Sequence, residues 1–131
     1  MSGTVILDSE GLSLLLRDNR IMVARLVAAR KRDDRVVVSA MTIVEAYHQR
    51  VRPDRLAWVL SRLSVEPVTK EIAHKATGLL RDAGNLHGHK YAIDAVVAAT
   101  ALQSHRPVTV LTSDPDDLTR LCGRSVAIVK V

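Results

Sequence analysis

The chain has no phenylalanine, one tryptophan and two tyrosines in 131 residues. A core built on aromatic rings is therefore excluded, and Val, Leu, Ile and Ala must fill the interior. A single cysteine, Cys122, excludes an intramolecular disulfide and a cysteine-based zinc cluster. Beside Leu121 in a predicted helix, it is expected to be a small core filler. No segment approaches the ~20 apolar residues of a membrane span. The N-terminus is polar and its first apolar run, Val5-Ile6-Leu7, is short, so no signal peptide is expected and a cytoplasmic location is. No linker, internal repeat or low-complexity stretch appears, and residues 1–131 are expected to form a single domain with a real core.

What is present is an alternation of apolar patterns. Val5 to Leu7 reads as a short buried strand. Ser9 is a plausible N-cap for a helix holding Leu12, Leu15 and Leu16, and Asp18-Asn19 breaks it. A second helix is predicted from about Ile21 to Lys31, with Ile21, Ala24, Val27 and Ala28 on one stripe. Val36 to Val38 is a β-branched strand. Thr42-Ile43-Val44-Glu45 has the pattern of a capping box. Pro53 can start a helix with the stripe Leu56, Val59, Leu60 and Leu63. Val65 to Val68 reads as a weak strand, placed at an edge by Pro67. Thr69 caps a helix that Gly84 ends, and a polar loop from Asn85 to His89 precedes a long apolar helix from Tyr91 to about Ser104. A strand from Val108 to Leu111, a helix opened by Pro115 and stopped by Gly123, and a strand from Val126 to Val131 complete the chain. Strands alternating with helices call for an α/β fold with a central parallel sheet, flanked by helices and joined by right-handed crossovers.

Four carboxylates stand out against this background. Asp8 ends the first strand, Asp114 follows the strand at Val108, and Glu45 lies one turn into the helix after a strand. Asp94 interrupts Ala92-Ile93-Asp94-Ala95-Val96-Val97-Ala98-Ala99, where a mid-helix acid has no ordinary task. In doubly wound sheets the chemistry lies beyond the carboxyl ends of the strands, and the topology brings all four acids to that rim. Grouped carboxylates in apolar surroundings are most readily compensated by a hard divalent cation, Mg²⁺ or Mn²⁺. Such ions activate water and stabilise a phosphodiester transition state. A net charge of +5 around an acidic pocket suits a polyanionic substrate, although Arg-rich helix faces also serve solubility alone. Each acid has a plainer use: Asp8 as an N-cap, Glu45 in the capping box, Asp114 in the turn before Pro115. Asp116 and Asp117 suit the first helical turn, where acids favour the dipole.

The segments Val5-Ile6-Leu7-Asp8-Ser9, Thr42-Ile43-Val44-Glu45, Tyr91-Ala92-Ile93-Asp94-Ala95 and Leu111-Thr112-Ser113-Asp114-Pro115-Asp116-Asp117-Leu118 resemble, in order, the four acidic motifs of PIN domains. The resemblance spans nearly the whole chain and is closest to the VapC-type toxins of toxin–antitoxin pairs. It implies a three-layer PIN fold and a Mg²⁺- or Mn²⁺-dependent ribonuclease acting on RNA. It also implies a cognate antitoxin and a homodimer. Asp8, Glu45, Asp94 and Asp114 would be the catalytic metal ligands and Asp117 a secondary one. Ser9, Thr112 and Ser113 would be hydroxyls behind them. Glu10, directly after Asp8-Ser9, departs from the pattern.

Other readings fit less well. A phosphoacceptor receiver needs an acid after the third strand, where Thr69-Lys70-Glu71 stands instead, and a haloacid-dehalogenase-like phosphatase needs Asp rather than Glu10 two residues after Asp8. The non-enzymatic alternative is a PIN-like module that binds RNA or protein without cutting, yet such a module gains nothing from mutually repelling carboxylates. His87-Gly88-His89 suits a solvated loop better than a ligand pair, and no histidine, His48 included, is assigned as a general base. Lys90 and Arg17 are the expected substrate-phosphate contacts. Trp58 falls roughly opposite its helix's apolar stripe and Leu14 is displaced from its own. Both are expected in an antitoxin-binding groove or a homodimer interface.

Overall fold

The computed structural model describes residues 2–131. Five strands form one wholly parallel sheet: β1 (Thr4–Leu7), β2 (Arg35–Ser39), β3 (Ser64–Glu66), β4 (Val108–Thr112) and β5 (Ala127–Lys130). The helices are α1 (Ser9–Leu16), α2 (Arg20–Lys31), α3 (Ala40–Ala46), α4 (Pro53–Ser61), α5 (Lys70–Asp82), α6 (Gly88–Gln103) and α7 (Pro115–Cys122). Strand order is β3-β2-β1-β4-β5, with β3 at an edge as Pro67 suggested. The chain moves outward from β1 through β2 to β3, then crosses back to place β4 on the other side of β1. The crevice between β1 and β4, at their carboxyl ends, is thus the topological switch point at which open α/β sheets bind ligands.

Side-chain alternation divides the core into two layers. Val5, Leu7, Val36 and Val38 face α1, α2, α3 and α4 through Leu12, Leu15, Met22, Ala29, Ala46 and Val59. Ile6, Val37 and Val110 face α6 and α7 through Val97, Ala98, Ala101, Leu118, Leu121 and Cys122. Cys122 is the expected core filler, and burial pushes its thiol up to about 11. Small side chains on α6 (Ala95, Ala98, Ala99, Ala101) are completely buried. Ala98 and Ala101 let that helix run close beneath the sheet, while Ala95 and Ala99 meet Ile72 and Ala76 of α5.

Several helix details differ from the sequence expectations. Asp8, not Ser9, caps α1: its carboxylate accepts from the Gly11 N–H, and Ser9 is the first helical residue. Ser39 caps α3 by accepting from the Met41 N–H, so the helix begins before Thr42 and the capping box does not form. Thr42 is instead buried inside α3. Helix α6 starts at Gly88 and so absorbs part of the expected polar loop. In α2 the inward residues are Met22 and Ala29, flanked by Val23 and Leu26, while Ile21 and Val27 are exposed. That helix carries apolar residues on two faces, and Met22, Leu26 and Ala29 satisfy helical spacing as well as the stripe from Ile21. Asn19 caps the helix by accepting from Met22 N–H (3.0 Å).

Candidate metal centre

Asp8 leaves β1 at the switch point and is only 7% exposed. One carboxylate oxygen accepts from Gly11 N–H (3.0 Å) and the other from Ser113 N–H (3.1 Å), 105 residues away. Asp8's own N–H continues the sheet ladder to Leu111 C=O (3.1 Å). The residue is therefore both the cap of α1 and a bridge from β1 to the loop after β4. Gly11 permits this closeness, since a Cβ there would meet the Leu7 side chain at 3.3 Å.

The loop after β4 sets Asp114. The buried Thr112 hydroxyl accepts from Asp114 N–H (2.9 Å), and Pro115 then opens α7. Asp114 occupies the N-cap position without using its side chain as a cap. Its carboxylate is left for other work. Among the described residues, carboxylate oxygens of Asp94, Asp114 and Asp117 come within 4.8 Å of one another. Asp94 enters from α6, and Asp117 from the first turn of α7.

The electrostatics show a mutually repelling cluster that nearby cations offset only in part. Burial is the main cause that raises the Asp94 carboxyl from 3.8 to about 6, and Asp114, Asp117, Glu45 and Asp8 add repulsion in that order. Asp117 is raised by its hydrogen bond to Asp114, by desolvation and by that neighbour's charge, while Arg120 and Lys90 oppose the shift. Glu45 projects from the exposed part of α3, free of the capping role its sequence context suggested. The other three expected acids, Asp8, Glu45 and Asp114, thus all act on Asp94, but the tightest group is Asp94, Asp114 and Asp117. Asp8 and Glu45 lie outside it.

The expected supporting residues divide by role. Thr112 works through its hydroxyl, Ser113 through its backbone N–H, and half-buried Ser9 makes no side-chain hydrogen bond among the described residues. Glu10 turns outward to pair with Arg17 (3.1 Å), so it adds no charge to the cluster. Lys90 lies near enough to act on Asp117 and covers the Tyr91 ring at 5.2 Å from its centroid. His48 falls beyond the end of α3, where it takes the Arg50 N–H (3.1 Å).

Away from the acids, Trp58 is 51% exposed. Arg55 and Arg62 lie over its ring at 4.9 and 4.7 Å from the centroid. It borders an apolar groove of about 210 Å³ between α2 and α4, with Val23, Leu26 and Val27 opposite. Leu14 does not line that groove; it is half-buried and packs against the core. Sequence periodicity also gave no warning of Val44 and Tyr47, large apolar side chains 69% and 66% exposed on either side of Glu45.

The PIN domain family model matches residues 5–123, and the chain belongs to the PIN domain family. Solved structures share this fold. The chain is similar to VapBC2 from Rickettsia felis bound to a DNA fragment from their promoter, with TM-score 0.71, 14% identity and 98% of each chain covered. It is also similar to DNA-bound VapBC from Salmonella typhimurium, with TM-score 0.69, 19% identity and 97% of each chain covered. No curated protein sequence matches it.

Proposed function

We propose that this PIN domain is a metal-dependent endoribonuclease, the VapC-type toxin of a toxin–antitoxin pair. The observation that carries the reading is the trio of converging carboxylates at the switch point, with Asp94 held near 6 by burial and by four acidic neighbours. A fold that keeps such repulsion, with Arg120 and Lys90 opposing it only at Asp117, suits a resident cation. The all-oxygen donor set fits Mg²⁺ or Mn²⁺. Asp94, Asp114 and Asp117 would hold the ion, with Asp8 and Glu45 completing its surroundings. When bound, the cation supplies Lewis-acid stabilisation to a scissile phosphodiester. Asp8 keeps β1 and the Asp114 loop in register through its two backbone hydrogen bonds. Glu45, on the solvent side, adds its negative charge to the site. Purified protein is expected to cut single-stranded RNA with Mg²⁺ or Mn²⁺ and to stop on addition of chelator. Metal-independent cutting, or RNA binding without cutting, would favour the non-catalytic module instead.

Glu45 offers a sharper test. Because Ser39 caps α3, Glu45→Gln removes no capping interaction. The melting temperature is expected to stay within about 1 °C, as for an exposed polar exchange. Cleavage is expected to fall at least about tenfold through loss of the carboxylate charge. Full activity in this variant would remove Glu45 from the site.

The partners follow from the surfaces. The apolar groove beside Trp58, rimmed by Arg30, Arg55 and Arg62, suits an amphipathic antitoxin segment with acidic residues at its edges. Trp58→Ala is expected to weaken antitoxin binding by about 2 kcal/mol and to leave cleavage by free toxin unchanged. Titration of the variant with the antitoxin checks this, and unchanged affinity would move the partner elsewhere. Val44 and Tyr47 form the face we assign to a homodimer contact.

A further inference from the structure

A concavity of about 860 Å³ is walled by the elements that follow two of the acids, Asp8 and Glu45. One wall is α1, represented by Leu16 and Arg17; the other is the segment after α3, with His48, Arg50 and Arg52, and Arg55 closes the end. Both walls are direct continuations of elements that carry the acids. Helix α1 starts from Asp8, and the opposite wall starts within three residues of Glu45.

The lining chemistry suits an anionic backbone. Among the described residues Arg50 makes no ion pair, the Arg17–Glu10 (3.1 Å) and Arg52–Asp54 (3.0 Å) pairs are largely exposed and readily exchanged, and the one acid in the lining, Asp18, faces Arg55 at 3.6 Å. Arg55 is held in place by Leu15 and Leu16 carbonyls (3.0 and 3.4 Å). The His48 Nδ1 accepts the Arg50 N–H, which leaves Nε2 to carry the ring proton as a donor. Arg55 and Asp18 also border the Trp58 groove, so two adjoining grooves differ mainly in lining. The Trp58 groove is apolar and suits a protein segment. The Arg50 groove, among its lining residues, has no Phe, Tyr or Trp and is rich in guanidinium groups.

We propose that the groove between α1 and residues 48–52 is the track for the RNA strand flanking the scissile bond, with Arg50, Arg52 and Arg17 contacting successive phosphates and His48 a backbone oxygen. This rests on the ribonuclease reading, and one experiment separates the two. Fluorescence anisotropy of a labelled single-stranded RNA oligonucleotide is measured against salt, in chelator so that nothing is cut. Cleavage is measured separately with Mn²⁺. The double variant Arg50→Ala, Arg52→Ala is expected to bind at least about tenfold more weakly at low salt. Its log–log salt slope is expected to drop by about 1.4, since each phosphate left without its arginine on a single strand accounts for ~0.7. The double variant Lys75→Ala, Arg81→Ala, on exposed positions of α5, is the control and is expected to match the native protein. Native affinity and slope in the Arg50/Arg52 variant, with cleavage intact in the parent, would overturn the track and leave the nuclease. Loss of RNA affinity in that variant, with no cleavage by the parent, would uphold the track and overturn the nuclease. Undiminished RNA binding with lost antitoxin binding would make the groove a protein site and overturn the track.

Discussion

In metal-free buffer near pH 8, Asp94→Asn is expected to melt about 5 °C above the native chain and to cut no RNA. The folded protein holds the Asp94 carboxyl at about 6, against an ordinary value of 3.8. Between those values the folded state binds the proton more tightly than the unfolded state does. Stability conferred by protonated Asp94 is therefore present at low pH and is lost as pH rises through about 6. Discounted for partial exposure, the charged form costs about 1–2 kcal/mol. Asparagine removes that cost, and the difference between the two proteins should shrink towards zero near pH 4. Calorimetric scans of both proteins at the two pH values check the sign. A variant that melts lower than the native chain at pH 8, or that still cleaves RNA, would sink the account of Asp94.

Asp8 is expected to behave in the opposite way. Asp8→Ala leaves the Gly11 and Ser113 N–H groups without their acceptor, one at a helix start and one across the sheet. Losing a cap costs about 1 kcal/mol, and a buried donor left unpaired about 1–3 kcal/mol. The expected total is about 3 kcal/mol, or a fall of about 10 °C in melting temperature. Asp8→Asn keeps one acceptor oxygen and turns an amide donor towards the other N–H, so it should fall between. Thermal melts of the pair in chelator measure this without reference to catalysis. If Asp8→Ala melts with the native protein, the bridge from β1 to the β4 loop contributes nothing. Two aspartates of one acidic site would thus carry opposite signs, one at the fold's expense and one in its service.

The parallel sheet and the rim location of the acids were legible because strands and helices alternate cleanly and because each acid follows an apolar run. Asp94 was legible for a simpler reason: nothing else explains a carboxylate inside Ala92–Ala99. Finer choices were not. The Ser39 cap outcompeted Thr42 because the β2 strand ends one residue after Val38, a boundary that local pattern does not specify. Asp117 belongs to the tightest carboxylate group, yet its position in the first turn of α7 equally suits a dipole role. The inward stripe of α2 was hidden because that helix is apolar on two faces. The Arg-rich groove was only partly visible through Arg17. His48, Arg50, Arg52 and Arg55 reach it through tertiary placement of the segment after α3, and no periodicity marks them.

The long reach of the Asp8–Ser113 hydrogen bond has a consequence for the timing of synthesis. The residues that converge on the site run from Asp8 near the start to Asp117, and the central strand β1 must wait for β4 to gain its second neighbour. Contacts of such sequence separation form late, after most of the chain has left the ribosome. A nascent chain halted before residue 108 has Asp8, Glu45 and Asp94 but neither Asp114 nor the strand that aligns it. On the proposed ribonuclease reading, a cell translating this message makes an enzyme that stays unarmed through most of its own elongation, and stalled or prematurely terminated products are harmless to the RNA that encodes them.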